Sequence, residues 1–296
     1  EVLYTYYSTR NTLTRIHQKS ADLRHVVQTA LERNRKKYDL QSRQLKGTEK
    51  RDKYKVYGEL INTYGYNLEP GSKELTALNY YTNEEITIPL DPTQTPGENA
   101  QRYFAKYNKQ KRTFEALTEL IRETADDIQY LESISNALDI ALSEADLAQI
   151  KEELMLSGYI RRKHTKKKVK LTSKPMHYIS SDGYDMYVGK NNLQNEELTF
   201  SFANGNDWWF HAKGSPGSHV IVKSGGDELP DQTFEEAGRL AAYYSKNRGA
   251  DKVEIDYIQK KHVKKPNGAK PGFVVYYTNY SLVIDSDISN IKNVQD

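Results

Sequence analysis

Between residues 97 and 141, apolar side chains recur with the seven-residue period of a coiled coil. This interval predicts a single helix of roughly 65 Å, at about 1.5 Å per residue. One helix cannot bury so narrow an apolar stripe by itself, so the pattern requires a partner helix. The two seams of the repeat are formed by Ala100, Tyr107, Phe114, Ile121, Ile128 and Ser135, and by Tyr103, Gln110, Leu117, Thr124, Leu131 and Leu138.

The obvious partner precedes this helix in the chain. Residues from about 5 to 65 also show helical periodicity, which is interrupted at Gly47, a candidate kink or register shift. The prolines and turn signals of residues 66–96 end the helix and favour a small tip with a β-hairpin. We therefore predict an antiparallel coiled-coil hairpin in one chain over residues 1–146, with helices at about 5–65 and 97–141; an intermolecular coiled coil is the alternative. The strand candidates of the tip are residues 74–79 and 85–90.

From residue 175 onwards the pattern changes to short runs of β-branched and aromatic residues, with one amphipathic helix at 232–246. One helix among many strands of antiparallel type is typical of an α+β domain. We therefore predict a compact α+β domain with a mainly antiparallel sheet over residues 175–296, and an α+β class for the chain. Residues 147–174, after a capping box that begins at Ser143, are expected to form a short helix and a basic linker. The predicted strands are residues 176–180, 184–189, 197–202, 208–212, 219–223, 252–258, 273–279 and 281–285.

Both tryptophans and two of the seven histidines lie within residues 204–220. Bulky residues in a row fit a pleated surface, so a short strand is predicted here. Alternation along the strand places Trp209 and His211 on one face and Trp208 and Phe210 on the other. The last two are interpreted as core residues, whereas Trp209 either offers a stacking plane or packs beneath the histidines.

A tight turn is predicted at Gly214-Ser215-Pro216-Gly217, directly after this strand. Its exposed backbone amides can form a nest that binds an anion. Ser218 and His219 suggest a nucleophile and its base, but adjacent strand residues point to opposite faces and cannot form the required hydrogen bond. The histidines lack carboxylate or cysteine partners for a metal, and no P-loop sequence is found. We therefore expect neither an autonomous active site nor a cofactor.

Composition adds limits to this picture. Charged residues make up 28% of the chain and the mean hydropathy is −0.83, which suits elongated helices with much solvated surface. The absence of cysteine excludes disulfides and thiolate metal sites and fits a reducing compartment. No apolar run approaches the length of a membrane span, so no membrane insertion is expected. Because the first residue is Glu1, we expect the chain to be a fragment.

Basic residues are concentrated in two segments. Residues 159–174 carry eight Lys or Arg and no acidic residue, and residues 246–270 interleave basic residues with Tyr257 and His262. Such density suits contact with nucleic-acid phosphates and a salt-dependent affinity. A solvated linker and a solvated protein face are the alternatives.

Several stretches resemble the NFACT family. The run from Tyr187 to Thr199, followed by Asp207-Trp208-Trp209-Phe210-His211 and Pro216-Gly217-Ser218-His219-Val220, is similar to the NFACT-R domain that closes these proteins. Upstream, Tyr57-Gly58-Glu59-Leu60, Leu90-Asp91-Pro92, Tyr103-Phe104-Ala105-Lys106-Tyr107-Asn108-Lys109 and Gly158-Tyr159 resemble the middle region of the family. The resemblance covers nearly the whole chain and implies that the N-terminal domain of the family is absent.

The resemblance implies a ribosome-associated quality control factor in the cytoplasm, which binds the large ribosomal subunit and tRNA and supports C-terminal tailing of stalled nascent chains. Peptide bond formation would then belong to the ribosome, so the chain is not expected to be an enzyme. The implied RNA-binding residues are Lys190, Asn191, Asn195, Trp209, His211, Lys213, Gly217, Ser218, His219, Lys246, Arg248, Lys264 and Lys265, with Arg161, Arg162, Lys163, Lys166, Lys167 and Lys168 of the basic linker.

Two other functions stay open. FbpA-type members of the family carry a fibronectin-binding name, so a surface adhesin that binds fibronectin after non-classical export is the alternative, and the 23 tyrosines of the chain suit protein binding. The third possibility is a coiled-coil scaffold whose C-terminal domain binds only protein. Steep salt dependence of binding separates an RNA-binding protein from both.

Overall fold

The computed structural model of the chain describes residues 14–161 and 172–294. These residues group into two compact units. We call Arg33–Asp127 the middle unit, and the described residues up to Glu32 together with those from Ile128 onwards the terminal unit. The predicted domain boundaries after residues 146 and 174 stay predictions.

Three helices account for the predicted coiled coil: α1 at Ala21–Lys46, α2 at Arg51–Tyr64 and α3 at Pro96–Ile140. The interruption predicted at Gly47 is confirmed, and it is a full turn that separates α1 from α2 rather than a kink in one helix. There the Thr48 hydroxyl donates to the Leu45 carbonyl at 2.6 Å and the Thr48 amide to the same oxygen at 2.9 Å. These bonds close the helix end, and α2 restarts three residues later. The part of the predicted helix below residue 14 lies outside the described residues.

In the middle unit the helices run antiparallel. The Thr124 hydroxyl donates to Gln41 at 3.0 Å, and the Arg51 guanidinium lies 4.0 Å from the Phe114 ring centre, so later positions on one side meet earlier positions on the other. Strands β1 (Glu74–Asn79) and β2 (Glu84–Pro89) form the predicted hairpin. A hydrophobic core between this hairpin and the helices α2 and α3 consists of Leu60, Ile61, Leu75, Ala77, Ile88, Ala100 and Tyr103.

In the terminal unit the beginning of α1 packs on the end of α3 and on α4 (Glu144–Leu156). Arg24 donates to Asp139 at 2.5 Å and to the Leu138 carbonyl at 2.8 Å, which again gives an antiparallel arrangement. The capping box predicted at Ser143 is confirmed: its side chain accepts from the Asp146 amide, and the Asp146 carboxylate accepts from the Ser143 amide.

The rest of the terminal unit contains seven strands: β3 Met176–Ile179, β4 Asp185–Val188, β5 Trp208–Ala212, β6 Val220–Val222, β7 Val253–Gln259, β8 Tyr280–Ile284 and β9 Lys292–Asn293. They form one antiparallel sheet in the order β8-β7-β5-β6-β4-β3-β9. Helix α6 (Asp231–Tyr243) supplies Ala237, Leu240 and Ala241 to the larger core on one face of this sheet. The α+β class with a mainly antiparallel sheet is therefore confirmed.

Two predicted strands are wrong. Residues 197–202 are helical: α5 (Asn192–Glu197) continues into a π-helical turn at Leu198–Phe202. The cause is the N-cap at Asn191, whose side chain accepts from the Gln194 amide and starts a helix that the β-forming residues then follow.

Residues 273–279 make only an isolated bridge, between Val275 and Lys264. Side-chain hydrogen bonds hold this segment in place of backbone pairing: Tyr276 and Asn279 donate to the Asp256 carboxylate at 2.9 and 2.8 Å. The short edge strand β9, which pairs with β3, was missed because two residues carry no pattern.

Candidate functional site

Five of the predicted site residues, Asn195, Trp209, His211, Gly217 and His219, line a cleft of about 170 Å³ in the terminal unit. Helix α3 forms one wall, the turn after β5 forms another, and the segment that follows Gly272 forms the third. The cleft is lined by Gln129, Ser133, Asn192, Asn195, Trp209, His211, Gly214, Ser215, Pro216, Gly217, His219, Gly272, Phe273, Val274 and Tyr276.

Strand β5 delivers two of these residues by simple alternation. Trp209 and His211 lie on the cleft face, with their rings stacked at 5.6 Å and 14°. Trp208 and Phe210 lie on the opposite face, where both rings contact Phe234 of α6. The predicted division of faces is confirmed.

Trp209 forms the floor of the cleft. It is fully buried and contacts His219 edge-on at 5.1 Å and Tyr276 at 5.2 Å. Burial excludes it as an open stacking plane in this conformation, so it packs beneath the histidines. Its indole Nε1 is buried without a hydrogen-bond partner among the described residues. An unpaired buried donor costs free energy, and it would be relieved by an acceptor that enters the cleft.

The two histidines are edge-to-face at 5.5 Å. Burial lowers the pKa of His211 to about 4, although part of the side chain remains at the surface. Burial, and then the neighbouring His211, hold the pKa of His219 well below its usual value. Both rings are therefore neutral at pH 7, and they can offer a ligand hydrogen bonds but no positive charge. His219 is tied to Thr199 through Nδ1 at 2.8 Å.

Hydrogen bonds from neighbouring segments hold the turn after β5 in place. Gly214 adopts a φ of +60°, and the Lys246 amide donates to the Pro216 carbonyl at 2.9 Å. The Ser218 amide donates to the Tyr244 carbonyl, and the His219 amide donates to the Asn195 side chain at 3.0 Å. An anion nest at this turn is thus restricted to the amides of Gly214, Ser215 and Gly217.

A buried polar seam supports the cleft from α4. Lys190 Nζ lies 2.6 Å from the Asp146 carboxylate, and both side chains are almost fully buried. Burial would raise the pKa of Asp146, but hydrogen bonds from Lys190 and Ser173 hold it below its usual value. Asn191 donates to Gln149 at 2.9 Å. Lys190 and Asn191 therefore have structural partners, and their predicted contact with RNA stays a prediction.

Two further predicted residues, Asn195 and Ser218, are buried at this cleft. Asn195 is buried and accepts from the His219 amide, close to Gly189, where an added Cβ would lie 2.2 Å from Asn195 Oδ1. Ser218 is buried and its Oγ has no partner among the described atoms, so it forms no pair with His219. The predicted absence of a serine–histidine hydrogen bond is confirmed for these two residues.

The other predicted basic residues that the structure describes are exposed, but they differ in their partners. Lys213 pairs with Glu254 at 2.5 Å, Lys265 with Glu196 at 2.7 Å and Lys246 with Glu132 at 3.5 Å. The Arg248 guanidinium lies over the Tyr243 ring, 3.7 Å from its centre. Lys264 forms no ion pair with another described residue. Arg161 is exposed at the edge of the described chain. Arg162, Lys163, Lys166, Lys167 and Lys168 lie outside the described residues.

Sequence reasoning missed the walls contributed by other segments. Gln129 and Ser133 lie on α3 away from the heptad seams, and Phe273 and Tyr276 follow the turn signal Pro271-Gly272. The glycine at position 272 was a usable sequence signal, because this position requires glycine: its φ is +79°, and an added Cβ would lie 2.8 Å from Asn192 Oδ1. Asn192 in turn donates to Glu153 at 2.8 Å and to Ser133 at 2.7 Å.

Comparisons with known proteins agree with this geometry. Residues 1–173 match the NFACT N-terminal and middle domains, and residues 174–277 match the NFACT protein RNA binding domain. The chain is 40% identical over 296 residues to the Rqc2 homolog RqcH of Streptococcus pneumoniae R6, and 38% identical over 298 residues to that of Bacillus subtilis 168. It spans about half the length of these relatives, 53% and 51%. All of the chain matches in the first case and 98% in the second.

A solved structure is also similar. The C-terminal part of the fibronectin/fibrinogen-binding protein from Streptococcus suis matches with a TM-score of 0.73 and 38% identity. The match covers 94% of this chain and 99% of that one. Among the described residues, no helix is long and apolar enough to cross a membrane.

Proposed function

The chain belongs to the NFACT family, and we propose from this membership and the geometry of the cleft that it binds RNA as part of a ribosome-associated quality control factor. In this proposal its partners are the large ribosomal subunit and tRNA, and it supports C-terminal tailing of stalled nascent chains. Because the chain spans about half of its relatives, the complete tailing activity is proposed for the longer protein.

One observation carries the proposal: the cleft combines a buried unpaired indole donor, neutral histidines and free turn amides in the segment that matches an RNA-binding domain. Such a cleft suits a neutral hydrogen-bonding group of RNA better than a bare phosphate. Among the described residues, the positive charge that attracts the RNA backbone lies outside the cleft, on Lys264 and Arg248. The lysines and arginines of residues 161–170 add to this charge in our proposal. We propose that charge brings RNA to the surface and the cleft then orients it.

We further propose that the chain is not an enzyme. Ser218 has no base, and His219 is buried and bonded to Thr199, so the two residues that most invite catalytic chemistry lack the required geometry. Peptide bond formation is assigned to the ribosome. The proposed location is the cytoplasm.

The test is binding to fluorescent tRNA and to purified large subunits across a salt series. Lys264→Ala with Lys265→Ala should weaken binding equally for all RNA sequences and reduce the slope of log affinity against log salt by about 1 for each lost phosphate contact. Lys252→Ala with Lys292→Ala is the matched control, because these two lysines are exposed in the same unit but have no contact with the cleft walls. By contrast, Lys264 bridges to Val275 and Lys265 pairs with Glu196, next to the lining residues Val274 and Asn195. Removal of residues 161–170 should lower the slope further. Affinity that does not change with salt would refute RNA binding.

Fibronectin binding is the second candidate, because the similar solved structure belongs to a fibronectin/fibrinogen-binding protein. This function would place the protein at the cell surface. Saturable binding to immobilised fibronectin that is insensitive to salt and unaffected by the Lys264 and Lys265 substitutions would favour it. We propose the ribosomal function first because the matched C-terminal segment is an RNA-binding domain.

A further inference from the structure

A second cavity, of about 460 Å³, lies entirely within the middle unit. It opens between α2 and α3 beside the end of β2, and three tyrosines dominate its lining: Tyr54, Tyr57 and Tyr103. We call it the tyrosine pocket. No residue of the cleft in the terminal unit contributes to it, so the two sites can be tested separately.

The three rings are held in a defined arrangement. Tyr103 is almost fully buried and donates its hydroxyl to the Pro89 carbonyl at 2.5 Å. Tyr57 packs edge-on against it at 5.3 Å, and Tyr54 lies nearly parallel to it at 6.0 Å and 19°. Tyr54 is only partly buried, so its ring offers a fixed aromatic surface at the pocket.

Two lysines converge on this surface from different helices. Lys53 Nζ lies 5.1 Å from the Tyr54 ring centre, and Lys106 Nζ lies 5.6 Å from Tyr54 and 5.4 Å from Tyr103. Neither lysine forms an ion pair with a carboxylate of the described residues. Their neighbours do: Lys55 lies 3.8 Å from Glu59, and Arg102 lies 3.2 Å from Asp91.

The surroundings are also basic. Residues 101–112 of α3 contain five Lys or Arg and no acidic residue, and residues 50–55 of α2 contain four with one aspartate. The acid that lines the pocket, Asp91, is compensated by Arg102. An anionic ligand would therefore meet two ammonium groups and no unpaired carboxylate of the described lining.

We propose that the tyrosine pocket binds a nucleotide, with the base stacked on Tyr54 and the phosphate held by Lys53 and Lys106. Stacking on a tyrosine ring combined with neighbouring basic groups is how single-stranded nucleic acid is commonly held. An acidic peptide would use the lysines but would leave the ring surface without a matching planar group. The inference goes beyond the proposed function, because it assigns a ligand to a unit that the cleft does not involve.

The nucleotide can come from two sources, an unpaired position in an RNA or a free mononucleotide. Site-resolved labelling distinguishes them in the full chain. A hexaribonucleotide that contains 4-thiouridine is photo-crosslinked over a concentration series, and the adducts are mapped by mass spectrometry. Peptides that contain Tyr54 or Tyr103 report the pocket, and peptides that contain His211 report the cleft. Competition with adenosine 5′-monophosphate and with adenosine then tests the need for the phosphate.

We expect saturable adducts at the pocket peptides. In Tyr54→Ala the half-saturating concentration should rise about 5- to 150-fold, which is the loss of one base–aromatic stack. Lys53→Gln with Lys106→Gln should also raise it, and these exposed side chains can be changed without disturbing the core if Tyr54→Ala fails to fold. The monophosphate should compete and adenosine should not. Competition by the monophosphate at concentrations similar to those of the hexamer identifies a free nucleotide, and competition only at much higher concentrations identifies RNA.

The matched control is Lys109→Gln with Lys111→Gln, which removes the same charge from α3 outside the pocket. It should leave labelling of the pocket unchanged. Equal losses in the two double variants would overturn the proposal in favour of a general basic surface. Displacement by hexaglutamate as effective as that by the monophosphate would overturn it in favour of an acidic peptide. Labelling at the cleft with none at the pocket would refute this inference and leave the proposed function standing. The reverse result would refute only the assignment of RNA binding to the cleft.

Discussion

Glu153 on α4 is expected to make the stability of the terminal unit depend on pH. Its side chain is fully buried; Oε1 accepts from Asn192 at 2.8 Å, and Oε2 has no hydrogen-bond partner among the described residues. Burial raises the pKa of Glu153 from 4.5 to about 7, against the opposing effect of the Asn192 bond. The folded state therefore binds a proton that the unfolded state releases at lower pH.

The sign and the size of the pH effect on stability follow from this difference in the pKa of Glu153 between the folded and unfolded states. The favourable contribution is fully present below pH 4.5 and is lost as the pH rises through about 7, because the unfolded chain then ionises and the folded chain resists ionisation. At 1.36 kcal/mol per pKa unit the loss is about 3 kcal/mol. That is a large share of the roughly 5–15 kcal/mol that stabilises a typical protein.

The perturbation is Glu153→Gln, which keeps the acceptor for Asn192 and cannot ionise. Urea unfolding at pH 5, 6, 7 and 8 is followed by tryptophan fluorescence, which reports the terminal unit because both tryptophans lie there. We expect the variant and the parent to be similar at pH 5 and the variant to be more stable by about 3 kcal/mol at pH 8. Glu197→Gln, an exposed position on α5, is the control. A constant difference between parent and Glu153→Gln at every pH would refute the reasoning.

Two further substitutions test the packing of the cleft. Trp209→Ala should lower the free energy of unfolding of the terminal unit by about 3–5 kcal/mol, measured by circular dichroism in urea, because it removes the fully buried floor; a variant with unchanged melting would reject the core role. Gly272→Ala should cost about 1–3 kcal/mol from its positive φ, plus the contact with Asn192. Gly183→Ala shares the positive φ but has open space around it, so equal losses in the two would show that the Asn192 contact does not matter.

The sequence was sufficient wherever a period or a local rule operated. The heptad predicted α3 to within one residue at each end, and strand alternation placed Trp209 and His211 on one face. The capping box at Ser143 needed only four residues to be recognised. These predictions succeeded because backbone geometry alone determines which side chains share a face.

The failures arose where tertiary contacts overrode local preference. Residues 198–202 are β-forming by composition, yet the N-cap at Asn191 and burial of Leu198 and Thr199 keep them helical. The walls of the cleft come from segments far apart in the chain, such as Gln129 and Phe273, and no periodicity joins them. The basic run in residues 101–112 was visible in the sequence, but the heptad interpretation of the same helix concealed it.

Burial also changes how the chemistry of the family motif should be interpreted. A histidine beside a predicted anion-binding turn suggests a cationic phosphate contact, but desolvation keeps His211 and His219 neutral at pH 7. A lysine beside an asparagine run suggests the same, but Lys190 holds Asp146 inside the protein. Loss of RNA binding after substitution of Lys190 therefore indicates a contact only if the free energy of unfolding is unchanged. Removal of one partner from a buried ion pair commonly costs about 3–5 kcal/mol, so we expect Lys190→Ala to fail that condition.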